Sequence, residues 1–208
     1  MDTLSDLLRG VRADGAVLGR SRLSSPWALR FTDGAALSLV TLVQGGARLT
    51  HGTGAPVPLG EGESALVRGP EPFLLTDAGQ DPPMEVEEVR CPEPAERAGV
   101  CVGGGEGQDG PGTVLLAGAF PVHGALGSRL LDTLPRLAVV PPEGDHDTSL
   151  DLVSAELAVR RPGQDAVLER MLEWLLVCTL RAWFDRTGSR APAWYRALSD
   201  PVAGPALR

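Results

Sequence analysis

The sequence predicts a mainly β protein, folded as a β-barrel or two-sheet roll and followed by an α-helical C-terminal part. Between residues 16 and 119, short apolar segments are separated by glycine, proline or aspartate at almost every join, which is typical of strands linked by tight turns. Beyond residue 120, apolar residues recur at the spacing of helices. The length of 208 residues suits one domain with a helical appendage.

The N-terminal residues 3–12 predict a short helix, because Leu4, Leu7, Leu8 and Val11 share one face. Strands are expected next, and their number and close turns are typical of a barrel or of two packed sheets. The ten predicted strands are 16–23, 27–31, 36–43, 46–51, 56–59, 64–68, 72–76, 84–90, 99–102 and 113–119.

Three helices are expected after the strands, over residues 124–135, 147–160 and 164–186. The last is the strongest, and its apolar residues cover far more than the ~100° stripe that a helix with one buried side needs. We therefore expect it to pack on its own domain and on the same helix of a second chain. The alternative is a helix clamped between the barrel and helix 147–160. The predicted dimerisation residues are Leu168, Met171, Leu172, Leu175 and Leu176.

Charge and cysteine content exclude several classes of protein. The net charge is −8, and all nineteen basic residues are dispersed arginines, so the chain is a poor DNA binder by itself. The three cysteines (Cys91, Cys101 and Cys178) form no C-x-x-C pair, which favours neither a disulfide framework nor a zinc knuckle. No signal peptide or membrane span is present in the sequence, and a reducing cytoplasm is expected.

Candidate catalytic and metal-binding groups are sparse. The glycine-rich segment 101–112 lacks the G-K-[ST] ending of a phosphate loop and leads into a strand, so it is expected to be a loop. No G-x-S-x-G motif or suggestive histidine–carboxylate spacing occurs, so no catalytic residue is predicted. His51 and His146 are expected to be solvated or locally bonded, whereas His123, just after the last strand, is a candidate ligand contact at the barrel mouth.

Four of the nine aromatic residues lie in the barrel half: Trp27, Phe31, Phe73 and Phe120. A barrel wide enough for a ligand is lined by alternate residues of its strands, and aromatic rings there offer shape and stacking surface. These four side chains are therefore predicted to line a ligand cavity. An ordinary packed core is the alternative.

The segment "GEGESALVRGPEPFLLTD" at residues 60–77 resembles the second sequence motif of cupins. Gly62 matches its first glycine, Arg68 replaces its proline, the turn follows at residues 69–70, and Phe73 stands where the motif has a histidine.

Other segments occur in an order that resembles the N-terminal cupin domain of AraC-type bacterial transcription regulators. The resemblance covers nearly the whole chain, and the tail is similar to the linker and opening helix of the DNA-binding half of such regulators. The segments are "MDTLSDLLRGVR", "GRSRLSSPWALRF", "LVQGGARL", "TVLLAGAF", "LLDTLPRL", "AVLERMLEWLLVCTLRAW" and "APAWYRALSDPVAGPALR".

This resemblance implies an N-terminal helix and cupin barrel over residues 1–122, a helical dimerisation segment over 123–188, and a linker over 189–208. Helix-turn-helix units that read DNA would follow Arg208. Many relatives carry histidine or cysteine at four barrel positions, which fall here on Val40, Ala47, Phe73 and Ala117. None of these side chains can ligate zinc, so a metal-free apolar cavity without a cofactor is expected.

The function that the resemblance implies is that of a non-enzymatic, homodimeric sensing domain, which binds an apolar or aromatic small molecule and contacts DNA only through a further domain. The predicted ligand-binding residues are Trp27, Phe31, Val40, Ala47, Phe73, Ala117, Phe120 and His123. Two alternatives stay open. One is a cupin enzyme, such as an isomerase, cyclase or dioxygenase. The other is a stand-alone partner that silences full-length regulators.

Overall fold

The computed structural model of the chain describes residues 3–8, 19–79, 85–89, 112–157, 159, 161–187, 191–198, 200–202 and 204. The strands are β1 Gly19–Leu23, β2 Ala28–Phe31, β3 Leu37–Gln44, β4 Ala47–His51, β5 Val57–Leu59, β6 Ser64–Arg68, β7 Phe73–Asp77, β8 Glu87–Val89, β9 Thr113–Phe120 and β10 Leu137–Val140. The helices are α1 Thr3–Leu8, α2 Gly124–Thr133, α3 Asp145–Leu157, α4 Gln164–Thr187 and α5 Ala193–Leu198. The predicted strand 99–102, Cys91, Cys101 and most of the glycine-rich segment lie outside the described residues.

The described strands form two five-stranded sheets, which confirms the predicted two-sheet roll. Sheet 1 has the order β1-β9-β3-β6-β10, and sheet 2 has the order β5-β4-β7-β2-β8. Neighbouring strands in both sheets are antiparallel except β2 and β8, which are parallel. The fold is therefore mainly β, with helices added after β9.

Strand β10 lies between two of the predicted helices, in a part of the chain where the sequence pattern indicated only helices. It pairs antiparallel with β6, with Val140 opposite Ser64, and so completes one edge of sheet 1. The segment is only four residues long and wholly apolar, and such a run shows no period that separates strand from helix. Pairing with β6, which lies far earlier in the chain, makes this segment a strand.

The two sheets differ in what covers them. Six consecutive residues of β3, from Leu37 to Leu42, are buried, because sheet 1 packs against sheet 2 on one face and against helices on the other. Strand β4 alternates instead, with Ala47 and Leu49 buried and Arg48 exposed. Sheet 2 therefore has one face on the interior and one face towards solvent.

Helix α4 lies on the outer face of sheet 1. Its Leu172 and Leu176 join one core cluster with Leu39 of β3, Phe120 of β9 and Leu130 of α2. In the described part of the chain, every helix is too short or too polar to span a membrane.

Candidate functional site

The space between the two sheets contains most of the predicted ligand-binding residues. They are buried, with exposed fractions of 9% or less, and belong to one apolar cluster with leucine side chains of both sheets. The residues placed there are Trp27, Phe31, Val40, Ala47, Phe73 and Ala117.

The strand register separates two of the four positions that the resemblance assigned to a lost metal site. Val40 pairs directly with Ala117, but Ala47 lies opposite Asp77 whereas Phe73 lies opposite His51. Four residues along a strand correspond to about 13 Å. Ala47 and Phe73 therefore lie at opposite ends of the β4–β7 pair, so the four positions do not converge on one ion. Among the described residues, no group of three or more histidine, cysteine, aspartate or glutamate side chains is arranged to hold a metal.

One end of the interior, which we call the barrel mouth, is closed by two stacked rings. Phe31 and Phe73 lie side by side on β2 and β7, with ring centroids 4.6 Å apart and planes inclined by 6°. The pocket that they line together with Asp33, Ser38 and Glu71 has a volume of about 10 Å³. This is roughly the space of one water molecule, so a larger guest requires the rings to move.

Phe120 and His123 do not line this interior, which corrects the prediction for both. Phe120 is fully buried on the outer face of sheet 1, among residues of α2 and α4. It differs in parity from Ala117, and successive side chains of a strand point to opposite faces. His123 is the exposed residue that precedes α2.

His51 is a site residue that the sequence interpretation missed. It ends β4 on the same side as the buried Ala47 and Leu49, and its side chain is only 7% exposed. Its Nε2 has no hydrogen-bond partner among the described residues and lies 4.0 Å from Glu71 Oε2. His51, expected to be solvated or locally bonded, is instead buried and without a hydrogen bond at Nε2 among the described residues. The sequence signal for this was the alternation along β4, which places residue 51 on the same face as the apolar residues 47 and 49.

A second buried histidine lies on the other side of sheet 1. His146, in the first turn of α3, is fully buried, and its Nε2 lies 2.8 Å from Ser64 Oγ. Ser64 Oγ lies in turn 2.6 Å from Thr41 Oγ1. Burial lowers the pKa of His146, and the nearby carboxylate of Asp147 opposes this shift. The expected solvated or locally bonded histidine is instead part of a buried network that joins α3 to sheet 1.

Most of the predicted dimerisation residues are buried by contacts within their own chain. Leu168, Leu172, Leu175 and Leu176 are no more than 7% exposed, because they pack on sheet 1 and the neighbouring helices. Only Met171 is partly exposed. The clamped alternative thus accounts for the most apolar side of α4.

A neighbouring side of α4 carries an open apolar depression. Val167 is 44% exposed and Trp174 is 37% exposed, and both are large apolar side chains. We call this surface the α4 face, and it consists of Ala166, Val167, Arg170, Met171 and Trp174.

Two sheets packed around an apolar interior, with helices on the outer face of one sheet, define a cupin-type double-stranded roll. Residues 2–185 match the protein family described as Cupin, and the chain belongs to this family. No curated protein matches the sequence.

Solved structures of ToxT from Vibrio cholerae resemble the chain. The apo K231A variant is 8% identical with a TM-score of 0.40, over 81% of this chain and 56% of that chain. A second ToxT structure, at 1.65 Å, is 11% identical with a TM-score of 0.41, over 81% and 57%. A third, bound to (E)-4-(8-methylnaphthalen-1-yl)but-3-enoic acid, has the same values.

The chain spans a little over half of the length of these ToxT chains. ToxT is an AraC-family regulator, which is the class that the sequence resemblance named.

Proposed function

We propose that this cupin chain is the small-molecule-sensing and dimerisation part of an AraC-type bacterial transcription regulator. Its effector is an apolar or aromatic molecule bound between the sheets without a metal, and DNA is contacted through a further domain. The observation that supports this most directly is the interior itself. Side chains from both sheets meet there, and the clustered ones are apolar, including three aromatic rings. A guest that entered between the sheets would bind mainly through contact area with these side chains.

Binding rather than catalysis is favoured by where the reactive side chains lie. The Ser64–His146 pair has the contact distance of a nucleophile and its base, but both residues are fully buried beneath α3 on the outer face of sheet 1. His146 Nδ1 has no hydrogen-bond partner among the described residues, whereas nucleophilic catalysis needs a third group to orient the base. We therefore assign the Ser64–His146 contact a structural role, in which it attaches α3 to sheet 1.

Ligand entry is coupled to a change of conformation at the barrel mouth. The pocket there holds about 10 Å³, so an aromatic guest must displace the stacked rings of Phe31 and Phe73. The measured affinity is then the intrinsic affinity reduced by the fraction of molecules whose mouth is open. The rings stand on β2 and β7, which are hydrogen-bonded neighbours in sheet 2.

Strand β9 lies between the interior and α4. Ala117 faces the interior, whereas its neighbours Leu116 and Gly118 face the helices. Leu116 packs with Leu168, and Gly118 lies directly beneath Leu172. A bound molecule that displaces β9 therefore also displaces the surface on which α4 packs.

The α4 face is the dimerisation surface of this proposal, and its occupant is the same face of a second chain. Val167, Met171 and Trp174 follow the four- and three-residue steps that bring side chains onto one stripe of a helix. An isologous contact would place the two stripes against each other and cover both indoles. The exposed Arg170, ion-paired with Glu173 at 3.2 Å, lies at its polar edge.

Calorimetric titration with naphthalene tests the proposal, using the wild-type chain and a Trp174→Glu variant designed to be monomeric. We expect saturable binding with one site per chain, and an affinity that differs between dimer and monomer by a factor of about five or more. Sedimentation with and without naphthalene must then show the reciprocal change in dimer affinity. Absence of saturable binding, equal affinities, or stoichiometric metal in the purified protein would contradict the proposal.

A further inference from the structure

His51 combines deep burial with an unused hydrogen-bonding atom. Its imidazole lies opposite Phe73, whose ring stacks on Phe31 at the barrel mouth. The side chain is 7% exposed, and Nε2 has no hydrogen-bond partner among the described residues. A buried polar atom without a partner destabilises the fold, so native proteins keep few of them.

Glu71 supplies a second polar atom at the same place. Its Oε2 lies 4.0 Å from His51 Nε2, beyond hydrogen-bond distance, and 3.4 Å from Arg136 Nη1. Glu71 also lines the mouth pocket beside Phe31 and Phe73. Glu71, which is ion-paired with Arg136, therefore lies between the mouth pocket and the His51 imidazole, and a group that reaches both must extend past the present pocket wall.

The 4.0 Å separation fits one oxygen atom between the two groups. An oxygen at a hydrogen-bond distance of about 2.8 Å from both would subtend an angle of about 90°. A hydroxyl suits this position because it accepts from a protonated Nε2 and donates to the carboxylate. An ether oxygen cannot donate to Glu71, and a carboxylate would be repelled by Glu71 and by Asp33, which also lines the pocket.

We propose that the barrel mouth binds a phenol-type aromatic molecule, with its hydroxyl between His51 Nε2 and Glu71 Oε2 and its ring against Phe31 and Phe73. This inference rests on the proposed sensing function and adds the chemical class of the effector and its polar anchor. Apolar contacts with the rings supply affinity, and the two hydrogen bonds supply selectivity.

Four naphthalene probes test the anchor on the intact chain by calorimetry: naphthalene, 2-naphthol, 2-naphthoate and 2-(aminomethyl)naphthalene. Their ring systems are equal, so differences report the polar group. We expect 2-naphthol to bind about tenfold more tightly than naphthalene, and 2-naphthoate more weakly than naphthalene. In the His51→Phe variant, the preference for 2-naphthol should fall to about twofold or less.

Two further variants keep the test decisive. Arg48→Phe introduces the same side chain on the same strand, but at an exposed position on the solvent face, and should preserve the tenfold preference. Glu71→Gln changes a half-exposed residue and should fold even if His51→Phe does not. It should reduce the preference for 2-naphthol and improve binding of 2-naphthoate by about threefold, because the repelling charge is gone.

The outcomes separate this inference from the proposed function. Saturable binding of naphthalene and 2-naphthol with equal affinity would overturn the phenol site and leave the apolar sensing barrel in place. A preference for 2-naphthoate or for the ammonium probe would also overturn it, as would a preference for 2-naphthol that neither variant changes. No binding of any probe would overturn both.

Discussion

His146 Nε2 and Ser64 Oγ lie 2.8 Å apart, and this contact joins the first turn of α3 to strand β6 of sheet 1. Both side chains are fully buried, and Thr41 extends the network to β3 through its hydroxyl at 2.6 Å from Ser64 Oγ. Helix α3 is therefore attached to the sheet by hydrogen bonds as well as by apolar packing.

The stability of the protein should fall as the pH is lowered through about 6.5, the usual pKa of histidine. Burial lowers the pKa of His146 in the folded state, so the unfolded chain takes up the proton first. Stability therefore rises with pH between the folded and unfolded pKa values and levels off outside that range. Urea unfolding at a series of pH values from 8 to 5 measures this dependence.

The His146→Gln variant should show a flatter stability profile over this range than the wild type. His123→Gln changes an exposed histidine and serves as the control, with a profile parallel to the wild type. Parallel profiles for wild type and His146→Gln would show that His146 does not carry the dependence.

Gly118→Ala should destabilise the protein by about 1–3 kcal/mol, because the added methyl group would overlap the buried side chain of Leu172. Chemical denaturation measures the loss. Shortening the opposing side chain in a Gly118→Ala/Leu172→Ala double variant should relieve the overlap, so the double variant should lose less stability than the sum of the two single changes. Additive losses would place the cause elsewhere.

The stacked rings of Phe31 and Phe73 should be energetically coupled by about 0.5–1.5 kcal/mol. A double-mutant cycle with Phe31→Leu and Phe73→Leu, measured by urea unfolding, isolates this coupling. Leucine keeps both positions apolar, so the cycle reports the ring pair more than the loss of burial. A coupling energy within error of zero would mean that the contact between the two rings does not stabilise the closed mouth.

Trp174→Glu should weaken self-association of the chain at least about tenfold, because it places a charge in the centre of the α4 face. Its effect on the stability of the monomer should stay within about 0.5 kcal/mol, since Trp174 is already 37% exposed in the single chain. Sedimentation equilibrium measures the association constant. Val202→Glu, at a position 86% exposed outside the face, is the control. A wild-type chain that is monomeric at high concentration would refute the dimer.

Local signals in the sequence predicted the strands and helices well where turn residues or long periodic runs marked them. Helix α4 and the alternating strand β4 are examples, since both are recognisable from their own residues. Strand β10 was missed because its four apolar residues are ambiguous until β6 pairs with them. Four of the five predicted dimerisation residues turned out to be covered by the chain's own sheet and helices, because an apolar helix does not show which side its own domain will cover.

By itself, the sequence determined the two-sheet roll, because alternation and turns are encoded in short segments, and its resemblance to cupin motifs indicated the family and an apolar interior. Only the tertiary structure decided that Phe120 faces the helices, that Ala47 and Phe73 lie at opposite ends of their strand pair, and that His51 rather than His123 lies buried near the mouth. Register and sheet packing set these positions, and both depend on contacts between residues far apart in the chain.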